Sequence, residues 1–330
     1  MAENSKIQWT KDTWNPLYGC RKVSAGCKYC YAERKINQYK GEFTAVHRTS
    51  KHTWGFPYRL HKKLTGNEPF TDRLVFTCSM SDFFIEEGDA HRADMWRVIR
   101  ETPHLIYQIL TKRPERIVEC LPDDWGAEGY PNVWLGTSVE NQAAYDLRVP
   151  ILVEIPAKVR FLSCEPLIDR IWPFLPPYAD KNEREMNKID WVIVGGESGN
   201  ENGKSKYRPC QLYWVLHLMY EFRSRNVPIF VKQTGTYMAK QMHLADRHGG
   251  DINEWPEVLQ VREFPKAYAL PLASIIPVEV VINEASEDDL LAQQQMMEAL
   301  TDKQARTKAL FALIDEKILQ MKHQKNIANG

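Results

Sequence analysis

Cys20, Cys27 and Cys30 fall within eleven residues, in the run Cys20-Arg21-Lys22-Val23-Ser24-Ala25-Gly26-Cys27-Lys28-Tyr29-Cys30. Thiols clustered in this way serve disulfides, a structural zinc or an iron–sulfur cluster. Disulfides fit poorly. Residues 1–14 are polar and contain no apolar run of about 7–15 residues that would mark an export signal, so the expected compartment is the reducing cytoplasm, where stable disulfides are rare. An odd number of thiols would also leave one unpaired. Structural zinc takes four ligands, commonly in pairs a few residues apart. Cys27 and Cys30 make one such pair, and His47 or His52 would have to join Cys20 to complete the set. An iron–sulfur cluster is usually held by four thiolates. With three, one iron keeps a position open to an outside ligand. Spacing alone leaves zinc and cluster both standing.

The rest of the chain must position that loop. Its 330 residues, 43% of them hydrophobic, suit one large domain or a domain with an appendage. No segment approaches about 18 consecutive apolar residues, so no membrane span is expected. From Leu74 onward a short apolar run, a polar cluster and a helical segment recur. Arg73–Cys78, His104–Leu110, Val133–Leu135, Lys158–Leu162, Trp191–Val194 and Ile229–Val231 read as buried strands, and a further strand is expected near Ile7–Trp9 or just before Cys20. Ala90–Glu101, Glu115–Cys120 and Gln211–Arg225 read as helices between them. Strands alternating with helices imply parallel β/α units, and near-continuous apolar strands imply a sheet covered on both faces. The predicted fold is α/β, a full or partial (β/α) barrel over residues 1–266. No dinucleotide fingerprint opens the first unit. Residues 267–330 read as a linker plus a C-terminal helical extension. An edge strand is expected at Val278–Ile282, with helices from about Glu287 and about Asp302. In the second of these Leu310, Leu313, Ile314, Ile318 and Met321 form a stripe fit for packing, a dimer contact or a protein partner.

Sites in barrels of parallel strands lie at the carboxyl ends. Here those ends carry Ser79, Ser81 and Asp82; Thr111, Lys112 and Arg113; Thr137, Ser138, Glu140 and Asn141; Cys164 and Glu165; Glu197 and Ser198; Lys232 and Gln233. Helix capping accounts for Ser81 or Ser198; it does not account for Lys112, Arg113, Glu165, Glu197 or Lys232. A hydrolase or lyase using Glu165 and Glu197 as an acid–base pair is one reading.

Lys plus Arg and Asp plus Glu each number 43, so the formal charge is zero. That excludes a general polyanion binder. One local exception runs from Arg34 to Lys63, with eight basic residues, one acid and five interleaved aromatics, Tyr39, Phe43, Trp54, Phe56 and Tyr58. Charge for phosphates and rings for stacking would suit a nucleic acid or nucleotide. A solvated helix whose aromatics pack inward explains the same composition. Combined with zinc, the stretch would make a nucleic-acid-binding protein without chemistry of its own.

The cysteine loop resembles the signature of the radical S-adenosylmethionine superfamily, commonly C-x₃-C-x-aromatic-C. Cys27-Lys28-Tyr29-Cys30 matches its second half; six residues stand where three are usual in the first. The wider string Ile7-Gln8-Trp9-Thr10, Thr13-Trp14-Asn15-Pro16, Gly19-Cys20, Gly26-Cys27, Cys30-Tyr31-Ala32 is similar to an uncharacterised, phage-associated family within that superfamily, and the similarity runs to about Gln233. The resemblance implies a partial barrel and a [4Fe–4S] cluster on Cys20, Cys27 and Cys30, with S-adenosyl-L-methionine on its open iron. It implies an external electron donor, reductive cleavage of the cofactor's carbon–sulfur bond and hydrogen abstraction from a substrate. Lys112 or Arg113 would then meet the cofactor's carboxylate. Ser79 and Ser81 stand where the superfamily's Gly-Gly-Glu meets the ammonium, Thr137 and Ser138 suit the ribose or carboxylate, and Tyr29 would lie near the adenine. Cys164, Glu165 and Glu197 remain for the substrate, Cys164 as a candidate hydrogen-atom donor.

Overall fold

The computed structural model describes residues 3–65, 73–173, 188–202 and 206–265. The chain divides into two units, Met1–Pro271 and Leu272–Gly330. The expected edge strand, the C-terminal helices and their apolar stripe lie outside the described residues.

Seven parallel strands form one open sheet. They are β1 (Asp12–Trp14), β4 (Arg73–Thr77), β5 (Leu105–Thr111), β6 (Val133–Ser138), β7 (Val159–Cys164), β8 (Trp191–Gly195) and β9 (Ile229–Gln233), paired in that order. β1 and β9 are the two edges, so the barrel is partial: a curled half-barrel of β/α units. The first strand of the sheet falls at Asp12–Trp14, between the two places expected, near Ile7–Trp9 and just before Cys20. Trp9 leaves the sheet to fill the lumen, while buried Asp12 accepts from Arg73 Nη2 of the neighbouring strand at 3.1 Å.

Helices cover the outer face. α4 (Arg92–Glu101) joins β4 to β5, α5 (Ile117–Cys120) joins β5 to β6, α6 (Gln142–Leu152) joins β6 to β7, α7 (Leu212–Arg223) joins β8 to β9, and α8 (Gly235–Gln241) follows β9. α6 starts where the Asn141 side chain accepts from Ala144 N at 2.9 Å, a cap contributing about 1 kcal/mol. Between β1 and β4 lies a segment of different character. A short antiparallel pair, β2 (Leu17–Tyr18) with β3 (His47–Arg48), brackets the cysteine loop and α1 (Tyr31–Gln38). α2 (Lys51–Trp54) and α3 (Phe56–Thr65) follow.

Alternation along each strand sorts residues into two cores. Leu74, Phe76, Ile106, Trp134, Phe161, Trp191, Ile193 and Phe230 point into the lumen with Trp9. Val75, Tyr107, Leu135, Leu162, Val192 and Val231 meet the helices. Gly136 makes room in the lumen: a Cβ there would stand 2.5 Å from the Phe161 ring. The aromatic lumen closes off the half-barrel below the carboxyl ends of the strands.

Candidate functional site

The cysteine loop lies across the carboxyl ends of the strands, held there by three polar clamps. The first comes from β5 and the turn after β4. Arg113 and Asp82, both buried, pair at 3.0 Å, and Arg113 Nη2 donates to the Arg21 carbonyl at 2.9 Å. Asp82 also accepts from Thr111 Oγ1 and from the Lys112 amide. The second comes from the end of β6. Glu140, 1% exposed, accepts the Gly26 amide at 3.1 Å and pairs with buried Arg148 at 2.8 Å. The loop backbone lies so close to this side chain that a Cβ on Gly26 would stand 2.9 Å from the Glu140 carboxyl carbon. Burial alone would raise the Glu140 pKa; Arg148, Lys112, Ser24 and Gly26 outweigh it and hold the carboxyl below its usual range. The third clamp starts at β8. Glu197 takes Arg208 by Nη2 at 2.6 Å and Nε at 2.9 Å; Arg208 in turn donates to the Ala25 carbonyl at 2.7 Å and lies over the Tyr29 ring, 5.4 Å from its centroid. Ser81 Oγ adds a bond to the Gly19 carbonyl at 2.6 Å.

Beneath the loop is a cavity of about 410 Å³ lined by Cys20, Cys27 and Cys30, within the roughly 300–1,000 Å³ of ligand pockets. All three cysteines are free and half-buried. Burial and the Asp82 charge push the Cys20 thiol up to about 11 against the opposing pull of Arg113, so binding a metal there must displace a proton. Opposite lie Lys112, Ser138, Ser163, Glu165, Lys232 and Gln233. Lys112 Nζ donates to Ser138 Oγ at 2.9 Å and makes no ion pair among the described residues. Lys232 is ion-paired with Glu165. Trp9, Phe76, Leu110 and Tyr29 supply apolar wall.

Most of the residues singled out from sequence converge here, but several change role. Cys164 is buried against the helices and does not line the cavity. At the end of β7, Ser163 and the following Glu165 line the cavity while Cys164 faces the helices, with burial pushing its thiol up. Thr137 likewise faces outward, its hydroxyl donating to the Thr111 carbonyl at 3.0 Å, so neither side chain lines the cavity. Arg113 and Glu197 do reach the site, but as clamps on the loop. Glu165 and Glu197 each hold a cation, which removes them as a free acid–base pair. Ser81 is spent on Gly19, and Ser79 Oγ bonds the Asn15 side chain at 3.1 Å. Glu140 stood among the strand-end groups without a role; Arg208 and Arg148 were not singled out at all. Arg208 lies in a loop with no motif around it.

Zinc finds no support from the two histidines. His47 Nδ1 contacts the Ala45 carbonyl at 2.8 Å, His52 sits in α2, and neither lines the cavity. Among the described residues no three His, Cys, Asp or Glu side chains form a group that could hold a metal ion. The thiolates of a four-iron cluster each bind a different iron, so they stand further apart than the ligands of one ion. Three free thiols on one loop line the cavity together with Lys112 and an aromatic wall.

A family model described as "Protein of unknown function (DUF5131)" matches residues 4–312. The chain belongs to the DUF5131 family. The match takes in the cysteine loop, all seven strands and every clamp residue. No curated protein and no solved structure matches the chain. No helix among the described residues of this DUF5131 protein is long and apolar enough to cross a membrane. The basic stretch 34–63 is only partly a surface. Phe43, Trp54 and Phe56 are buried, Tyr58 bonds Glu101, and Arg48 lies 3.9 Å over the Trp54 ring. Tyr39 alone of the five rings stands well out, 76% exposed.

Proposed function

We propose that this protein is a radical S-adenosylmethionine enzyme. The reading rests on one observation: three free thiols of a single loop face a closed-bottomed cavity at the carboxyl ends of a parallel half-barrel, across from Lys112. A bound [4Fe–4S] cluster and S-adenosylmethionine would supply reductive cleavage of a carbon–sulfur bond and abstraction of a substrate hydrogen, given an electron from an external donor.

The chain's own residues do the rest. Cys20, Cys27 and Cys30 would hold the cluster as thiolates. Arg113 beside Cys20 lowers the cost of that charge. Lys112, steadied by Ser138, would bind the cofactor carboxylate through a charge-assisted hydrogen bond. Tyr29, with Arg208 against its ring, offers a face to the adenine. Trp9, Phe76 and Leu110 exclude water from the side where a reactive carbon would form. Glu165, just past the end of β7, and Lys232, on β9, line the same cavity and form the substrate side. Lys232 Nζ there donates to Glu165.

The test is anaerobic purification or reconstitution of the full chain, with iron and sulfide assayed per chain and the visible spectrum followed as S-adenosylmethionine is added. Four irons and four sulfides are expected by the chemistry of the cluster, with a spectral change on adding the cofactor and 5′-deoxyadenosine on reduction. A colourless protein without sulfide, or a spectrum indifferent to the cofactor, overturns the assignment.

A further inference from the structure

Charge is distributed very unevenly along this neutral chain. Residues 21–63 hold eleven basic side chains and two acidic ones. In the structure the part of this excess that matters lies beside the cavity mouth. Arg34 of α1 lines the cavity, as do Arg21 and Lys22 of the loop. Arg21 and Lys22 are neutralised by Glu87 and Glu33. Lys28, Arg34, Lys35 and Lys40 are exposed and make no ion pair among the described residues. They run from the cysteine loop along α1 and past its end. α1 has eight residues, a length of about 12 Å at 1.5 Å per residue, so the cations are spread over several phosphate spacings rather than gathered around one.

Exposed rings stand among them. Tyr31 is 47% exposed at the cavity edge, its hydroxyl tied to the Ser79 carbonyl, and Tyr39 is 76% exposed at the end of α1. A ring anchored by its hydroxyl is a pre-set stacking surface, and base-on-aromatic stacking contributes without regard to sequence. The cavity these residues border is walled by Trp9, Phe76 and Tyr29, a lining suited to a planar base.

We propose that the substrate is a single-stranded nucleic acid. Its phosphates lie along Lys28, Arg34, Lys35 and Lys40, and Tyr31 stacks one nucleobase at the mouth of the cavity. The proposal rests on the radical-enzyme reading, since it names what that cavity acts on. A single strand is favoured over a duplex because a base must leave its stack to enter a pocket. It is favoured over a free nucleotide because four unpaired cations extend beyond the reach of one phosphate.

The experiment is fluorescence anisotropy of a labelled single-stranded oligonucleotide on the reconstituted full chain across a salt series. The competing ligands are the matching duplex and a mononucleotide. Neutralising four phosphates of a single strand gives a slope of log K against log salt near −2.8. Arg34→Ala/Lys35→Ala is expected to make that slope shallower by about 1.4 and to weaken binding at least tenfold at low salt. Lys11→Ala/Lys158→Ala removes the same charge from exposed residues before β1 and β7, at the opposite end of the sheet, and should change neither. Equal loss in both pairs, equal affinity for mononucleotide or duplex, or no binding by the wild-type chain overturns the proposal. Iron content and the cofactor-induced spectral change are measured on the same samples. Their loss would sink the radical-enzyme reading, while failed strand binding with both intact sinks only the substrate assignment.

Discussion

Removal of Glu140 tests the central physical claim, that the strand ends exist largely to hold the loop. Its side chain and that of Arg148 are 1% and 5% exposed and meet at 2.8 Å. Taking out one partner of a desolvated pair leaves the other charge buried, which costs about 3–5 kcal/mol. Glu140→Ala should therefore lower the unfolding free energy by roughly that amount, and Tm by on the order of 10 °C. The same substitution strips the Gly26 amide of its acceptor, one residue before Cys27. Replacing both partners removes the stranded charge, and well-packed apolar substitutes for buried pairs are often neutral. Glu140→Ala/Arg148→Met should thus recover stability to within about 1–2 kcal/mol of wild type without regaining the loop's anchor. The assays are urea unfolding and iron and sulfide per chain after anaerobic reconstitution. Both variants should bind less iron, whereas only the single variant should be markedly unstable. The reasoning fails if both hold a full complement of iron, or if Glu140→Ala loses less than about 1 kcal/mol.

Three further outcomes follow from the same geometry. Alanine at Cys20, Cys27 or Cys30 should each abolish iron binding, while Cys164→Ala and Cys120→Ala should leave iron unchanged and cost about 1 kcal/mol in urea unfolding; iron analysis separates the two groups. Lys112→Met should weaken S-adenosylmethionine binding about 10- to 100-fold, the loss of one charge-assisted hydrogen bond of about 1.5–3 kcal/mol, with cluster content preserved; equal affinity in a calorimetric titration would count against the carboxylate role. Gly136→Ala should destabilise the half-barrel by about 1–3 kcal/mol through overpacking against Phe161, seen as a lower Tm at unchanged iron per folded chain.

Local sequence was enough for the sheet and the loop. Apolar runs of strand length alternating with helical segments require parallel β/α units, and three thiols with Tyr29 between the last two mark one loop for chemistry. Those signals are contained within a few residues, so they survive without the fold. The sequence did not disclose which strand-end groups are free and which are spent. Gly26 is 114 residues from Glu140, and Ala25 is 183 residues from Arg208; no local pattern links such pairs. Facing was equally hidden. A sheet covered on both sides has apolar strands throughout, which erases the alternation that would have put Ser163 and Glu165 inside and Cys164 outside. Only the tertiary structure decided those roles, because burial and charge pairing are properties of a residue's neighbours in space. A lysine, an arginine or a glutamate at a strand end is a ligand or a clamp according to what the fold brings beside it.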